Sequence, residues 1–143
     1  MAKIVIQHPL FEKMVNIARS HHPEESCAAI FGTSSKIEVL TYHISQIIEL
    51  QNTVHSPVEF RIDEEELYPL WKKYTKMKLD LLGVFHSHPD TAYLSSYDKM
   101  TIKHISKAYP SWIWIVYGSR SHQLKAFILQ SHQFVEIPIC ERQ

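Results

Sequence analysis

The most apolar stretches of the chain are short and nearly unbroken: LDLLGVF over residues 79–85 and WIWIVY over 112–117. Runs of that length with no polar alternation suit central strands covered on both faces. Shorter apolar pieces predict further strands at Lys3 to Gln7 and, as CAAIF, at Cys27 to Phe31. After a TSS turn, KIEVLTYHISQII over 36–48 alternates as a long strand. Pro57 to Ile62 reads as a short extended piece, and Gln123 to Leu129 and Gln133 to Ile137 predict two closing strands.

Three segments carry a helical period instead. Between Pro9 and Ser20, Leu10, Phe11, Met14, Val15, Ile17 and Ala18 recur at helical spacing, and Pro23 stops the element. Asp63 opens DEEELYPLWKKYTKMK, with acids in the first turn and lysines in the last, as the helix dipole prefers. Pro69 removes a hydrogen bond there, which predicts a kink or a late start. A third helix spans about Ser96 to Tyr109, with Met100, Ile105 and Ala108 inward and Pro110 closing it. Strands and helices intermix, so the expectation is an α/β fold: a single domain over 1–143 with a central mixed β-sheet flanked by helices. There is no internal repeat or low-complexity linker, and three glycines leave few flexible joints.

Composition narrows the function classes. Lys plus Arg and Asp plus Glu are both 15, so the formal net charge is zero and nothing favours nucleic acid or an anionic membrane surface as a partner. No apolar stretch approaches the roughly 20 residues that span a bilayer. MAKIVIQHPLFEK lacks the apolar region and cleavage site of a signal peptide. Cys27 and Cys140 stand far apart without CxxC spacing, so neither a disulfide framework nor a thiolate zinc site is indicated, and the expected location is cytoplasmic. Ten histidines are many for this length, so each must be sorted.

The sorting singles out HSHPDTAYLSSYD, residues 86–98. His86 and His88 follow a buried strand, and side chains at i and i+2 of extended chain point to the same side, so both imidazoles can meet one ion. A catalytic zinc keeps three protein ligands and an open position, and Asp98 is the candidate third ligand. Taken alone, Ser95-x-x-Asp98 reads as a helix cap, and HxH alone is a weak signal. Thr91 breaks the HxHxDH signature of another zinc hydrolase class, and the PCxxC of zinc deaminases is absent. For a base, HHPEESCAAIFG over 21–32 offers Glu24 and Glu25, of which at most one can face the metal from an extended chain. His8, His21, His22, His43, His55, His122 and His132 have no ligand-like spacing, and His104 lies about 120° off the Asp98 face of its helix. Trp71, Trp112 and Trp114 read as packing residues.

PEESCAAIFG followed by FHSHPDTAYLSSYD resembles the JAMM (MPN+) metalloproteases, whose signature is a glutamate upstream of His-x-His-Pro and then Ser-x-x-Asp. LQNTVHSPVEFRIDEEELY, residues 50–68, is similar to the segment before that family's second helix, and the small prokaryotic branch is the nearest pattern. The resemblance implies a cytidine-deaminase-like fold with one zinc per chain held by His86, His88 and Asp98. It implies Glu25 rather than Glu24 as general base, and Ser95 as donor to the developing oxyanion. One departure is plain: the family usually has ten residues between the second histidine and the aspartate, and here Pro89 to Tyr97 makes nine. The missing residue falls in DTAYL, and one residue spans at most about 3.6 Å, within what a connecting loop absorbs.

The function so implied is a zinc-dependent peptidase or isopeptidase that cleaves after the C-terminal Gly-Gly tail of a ubiquitin-like or sulfur-carrier protein, using water activated by zinc. The rival of a different class is a non-catalytic scaffold of the metal-free MPN type, favoured only by the shortened loop. A zinc hydrolase of small molecules is the third reading. The oligomeric state is left open by the sequence.

Overall fold

The computed structural model describes residues 2–143. Its chain order is β1 (Ala2–Gln7), α1 (His8–His21), β2 (Cys27–Lys36), β3 (Leu40–Leu50), α2 (Glu64–Lys76), β4 (Asp80–His88), α3 (Ser96–Ile105), β5 (Ile113–Gly118), β6 (Gln123–Gln130), β7 (Gln133–Ile137) and β8 (Ile139–Arg142). All eight strands form one mixed sheet in the order β7-β6-β5-β4-β2-β3-β1-β8. Only Pro138 separates β7 on one edge from β8 on the other, so the sheet curls until its edges nearly meet. The amide of Ile4 donates to the Pro138 carbonyl at 2.9 Å and helps hold that closure.

The two apolar runs lie where their composition requires. β4 is parallel to β5 and antiparallel to β2, at the centre of the sheet, and every residue of β4 after Asp80 is buried. The sheet separates two cores. On the α1 side, Met14, Ile17 and Ala18 pack against Ile30, Phe85 and Ile115; on the α2 and α3 side, Phe31, Val84, Trp112 and Trp114 pack with Tyr74 and Ile102. Burial of such side chains contributes about 1.5–3 kcal/mol each. Gly83 lets β4 and β5 approach: a Cβ there would sit 1.9 Å from the Ile113 carbonyl oxygen.

Several sequence expectations are corrected. TSS is not a turn: Thr33–Lys36 pair with Leu40–His43, and the hairpin reverses at residues 37–39, with Ile37 almost fully exposed at its tip. α2 does not start late. Asp63 caps it by accepting from the Glu65 amide at 2.9 Å, and the helix runs on through Pro69, which is exposed like Glu65, the residue whose carbonyl it leaves without a donor. α3 ends at Ile105, not Tyr109, and turns Ile102 and Asp98 inward while Met100 and Ala108 face solvent. Pro110 disfavours helical backbone at Tyr109, whose ring stacks on Trp112 at 4.6 Å. Finally, β8 went unforeseen, and Pro57 to Ile62 contains no strand. No described helix is long and apolar enough to cross a membrane.

Candidate metal centre

The end of β4 carries the chemistry because of its neighbours. Alternation puts His86 and His88 on the α3 side, while Ser87 between them faces the other way. Ser87 is not idle there. Its Oγ accepts from the Ser26 amide at 2.9 Å and lies 2.7 Å from the Ser26 Oγ, and its own amide donates to the Ser26 carbonyl at 3.0 Å. Those bonds tie the residue after Glu25 to the strand that carries the histidines. Glu25 is thereby buried facing the cluster, whereas Glu24 points outward to His55 at 3.5 Å.

α3 supplies the fourth member. Ser95 Oγ accepts from the Asp98 amide at 3.0 Å, and the Ser95 amide donates to Asp98 Oδ2 at 3.0 Å, a reciprocal capping box. The same Oδ2 lies 3.2 Å from His86 Nε2 and 2.9 Å from His88 Nε2. Cap and site are therefore one carboxylate. The nine-residue loop reaches because it crosses the end of β5 at Gly118, where a Cβ would lie 2.5 Å from the Thr91 carbonyl carbon and 2.7 Å from the Ala92 amide nitrogen.

The structure brings Glu25, His86, His88 and Asp98 together, all four buried, with their ligand atoms within 4.8 Å of one another. Ser95 stands beside them as the cap of Asp98; His104 and the other seven histidines take no part. The two Nε2 atoms are 3.2 Å apart, so with Asp98 Oδ2 they make a triangle of 3.2, 3.2 and 2.9 Å. Ligands at 2.0–2.1 Å from a tetrahedral zinc stand about 3.3–3.4 Å from each other, near the two longer sides of that triangle and about 0.4 Å above the shortest. His88 Nδ1 donates to the Thr91 carbonyl at 3.1 Å, which leaves Nε2 bare and directed at the shared point.

The electrostatics suit a cation at this point. Four buried side-chain polar atoms lack a hydrogen-bond partner among the described residues, and three of them are Glu25 Oε1, Asp98 Oδ1 and His86 Nδ1. Orphans of this kind cost about 1–3 kcal/mol each. Burial pushes Glu25 up from 4.5 to about 8, with Asp98 adding and His88 opposing. Burial also pulls His86 below its ordinary value, against the hydrogen bond and charge of Asp98. For His88 burial acts downward, but the hydrogen bond and charge of Asp98 prevail and raise it. Asp98 is held well below the usual carboxylate range: burial acts upward, and the two histidines outweigh it. Two nitrogens and one carboxylate oxygen are the donor set that suits zinc, and a divalent charge offsets the two acids.

Comparison with known proteins points the same way. Residues 7–130 match the family described as prokaryotic homologs of the JAB domain. The chain belongs to this family. It is 25% identical over 140 residues to a CysO-cysteine peptidase of Mycobacterium tuberculosis, covering 95% of this chain and 89% of that one. A desampylase of Pyrococcus furiosus is 30% identical over 64 residues, 45% of this chain and only 41% of the relative's length. A solution structure of a protein from Desulfitobacterium hafniense superposes with a TM-score of 0.80 at 24% identity, over all of this chain and 94% of the other, and supports the fold. Within the JAB family these named relatives are hydrolytic, and the class that follows for this chain is JAB-family hydrolase.

Three residues around the cluster were not singled out by sequence reasoning: Ser87, bonded to Ser26, Asn52, which donates to the Glu25 carbonyl, and Phe60. Only Ser87 had a visible signal, as the residue between the two histidines. Phe60 stacks on His86 with ring centroids 4.5 Å apart, through a loop whose course no local pattern announces.

Proposed function

We propose that residues 1–143 act as one catalytic domain, a zinc-dependent peptidase or isopeptidase that cleaves after the C-terminal Gly-Gly tail of a ubiquitin-like or sulfur-carrier protein. The observation that carries the reading is the triangle of His86 Nε2, His88 Nε2 and Asp98 Oδ2 with Glu25 behind it, its Oε2 3.7 Å from His88 Nε2. The names of the CysO-cysteine peptidase and the desampylase support the substrate class.

His86, His88 and Asp98 would hold one zinc per chain. When bound, the metal supplies a Lewis acid that makes water a nucleophile near neutral pH and polarises the scissile carbonyl. Glu25 takes the proton of the attacking water and delivers it to the leaving amine. Burial raises Glu25 in the metal-free site, and a bound dication would draw it down again, toward the range in which a carboxylate both takes and returns a proton. Ser95 Oγ already accepts from the Asp98 amide, so its own proton is free to be donated to the oxygen of the scissile carbonyl as charge develops there. The scaffold alternative is not favoured by any observation here, because the shortened loop still brings Asp98 to both histidines. Two free cysteines support a cytoplasmic setting.

The deciding experiment is zinc per chain, by elemental analysis of zinc-replete protein, with Asp98→Ala alongside. About one zinc in the parent and clearly less in the variant is expected. Zinc-loaded protein should then release a group joined after a Gly-Gly tail far faster than it hydrolyses small amides; the reverse order would place it among small-molecule hydrolases.

A further inference from the structure

The segment between β3 and α2 reaches the cluster twice, and one side chain organises both contacts. Asn52 is buried. Its Nδ2 donates to the carbonyls of Glu25 and Glu59, both at 3.0 Å, and its Oδ1 accepts from the amides of Val54 at 3.2 Å and Arg61 at 3.0 Å. Two donated and two accepted bonds are the full capacity of a carboxamide. The amide of Glu25 in turn donates to the Ser56 carbonyl at 2.7 Å, so both backbone groups of Glu25 end on this loop. Thr53 closes the loop, its amide and hydroxyl donating to the Arg61 carbonyl at 3.0 and 3.1 Å.

Between the two loop residues that Asn52 grips, Glu59 and Arg61, stands Phe60, whose ring lies on His86. The Glu25 side chain has little else to fix it: Oε1 has no partner and Oε2 is 3.7 Å from the nearest histidine nitrogen. Its direction is set through its backbone, and that backbone is held by the loop. We infer that Asn52 is a positioning residue of the site, locking the Glu25 carboxylate and the Phe60 wall over His86 into one unit. This rests on Glu25 being the base. No other residue type supplies the four bonds at this length: aspartate has no donors, serine is too short, and glutamine places the same groups one carbon farther out.

The test uses the zinc-loaded full chain with Asn52→Asp, Asn52→Ser in case the buried charge prevents folding, and Val58→Ala as an exposed control on the same loop. The substrate is a sulfur-carrier protein extended by one residue beyond Gly-Gly. In a folded Asn52 variant, zinc content should stay near that of the parent and KM should change little. Its kcat should fall roughly tenfold to a hundredfold, the cost of a small misplacement of a reacting group. Amide exchange of Glu25, followed by NMR, should be slow in the parent and Val58→Ala and much faster in the Asn52 variants. A purely structural asparagine would lower the melting temperature and leave kcat untouched. Parental kcat in a folded variant overturns the inference, as does a fast-exchanging Glu25 amide in the parent itself. Glu25→Gln is run in the same assay. If it is inactive while the Asn52 variants keep full kcat, only this inference falls; if it turns over like the parent, the reading of Glu25 as base falls instead.

Discussion

Two groups of histidines and carboxylates in this molecule have similar composition and opposite character. At the surface, His8 joins α1 to β8, with Nε2 2.7 Å from Glu12 and Nδ1 3.0 Å from Glu141. At the end of β4, His86 and His88 meet Asp98 and Glu25. In the first group both ring nitrogens have partners, the acids are exposed, and hydrogen bonds to Glu141 and then Glu12 raise His8 above its usual value. In the second all four residues are buried, three polar atoms are orphaned, and burial drives Glu25 upward and His86 downward. Residue types do not separate a surface clasp from a candidate metal centre. Burial without satisfaction does when it gathers in one cluster: three of the four orphaned buried atoms among the described residues belong to these four residues.

The sharpest break of the comparison removes single members of the buried group. Asp98→Ala should abolish stoichiometric zinc and with it all turnover, since two histidines alone leave an incomplete site. Glu25→Gln should keep zinc near one per chain and lose about 10²–10⁴ in kcat, the usual contribution of a general base. Glu24→Ala, on a side chain turned to His55, should change neither quantity. Elemental analysis beside a progress curve reads all three. If Glu24→Ala and Glu25→Gln exchanged phenotypes, the assignment of the base would be wrong.

Next in size is the stability of the metal-free chain. Free zinc at a thousandfold its Kd should add about 4 kcal/mol, so chelation should lower the melting temperature clearly. Glu25 gives the pH dependence of the stripped protein a contribution of definite sign, which His86, pulled low by burial, opposes below its ordinary value. Glu25 is raised from 4.5 to about 8, so over that window the unfolded chain has lost a proton that the folded chain keeps, and stability falls as pH rises. Between pH 4.5 and 7 the loss is on the order of 3 kcal/mol. Asp98, held low, acts in the opposite sense, and its contribution is lost only as pH falls below the ordinary carboxylate range. Glu25→Gln should therefore flatten the decline between about pH 5 and 8 in melts of metal-free protein, and stabilise it at pH 8. An unchanged slope would mean that Glu25 is not buried as an acid.

The order of strands and helices was legible because the central elements are written in apolar runs that admit few alternatives. WIWIVY and LDLLGVF can lie only where both faces are covered. The misses lie where partners, not local pattern, decide. Thr33 to Lys36 have turn-like composition, yet they extend because β3 offers them a ladder. β8 is four mostly exposed residues that become a strand because β1 has an open edge. The site was legible through HSHP and Ser-x-x-Asp, which are contiguous. Asn52 and Phe60 lie in the 50–68 segment that the resemblance covers, but their contacts with Glu25 and His86 join positions 27 and 26 apart in sequence, so no local pattern gives them a role.

A smaller effect tests the short loop itself. Gly118→Ala places a Cβ against backbone atoms of Thr91 and Ala92, within distances at which something must shift. Thr91 is also the residue whose carbonyl orients His88, so the displacement should reach the proposed metal ligands. Zinc affinity should drop about 10–100-fold, the range found when outer partners of a ligand histidine are lost, while the fold survives. Parental affinity, read by competition with a chelator, would show that the loop has slack to spare.

The smallest effect belongs to the surface clasp, and it completes the comparison. His8→Ala removes a histidine whose raised pKa comes from two exposed carboxylates, in water that screens them. A group raised on folding contributes stability that is present below its unfolded pKa and lost as pH rises through the folded one. The melting temperature of the variant should thus trail the parent slightly at about pH 5.5, and the two should converge by about pH 9. The gap should also close in molar salt, where the screening length falls to about 3 Å. Zinc content and kcat should not move at any pH, because His8 stands outside the buried cluster. A loss of activity in His8→Ala would join the edge of the sheet to its centre, and the surface clasp would no longer stand apart from the buried cluster.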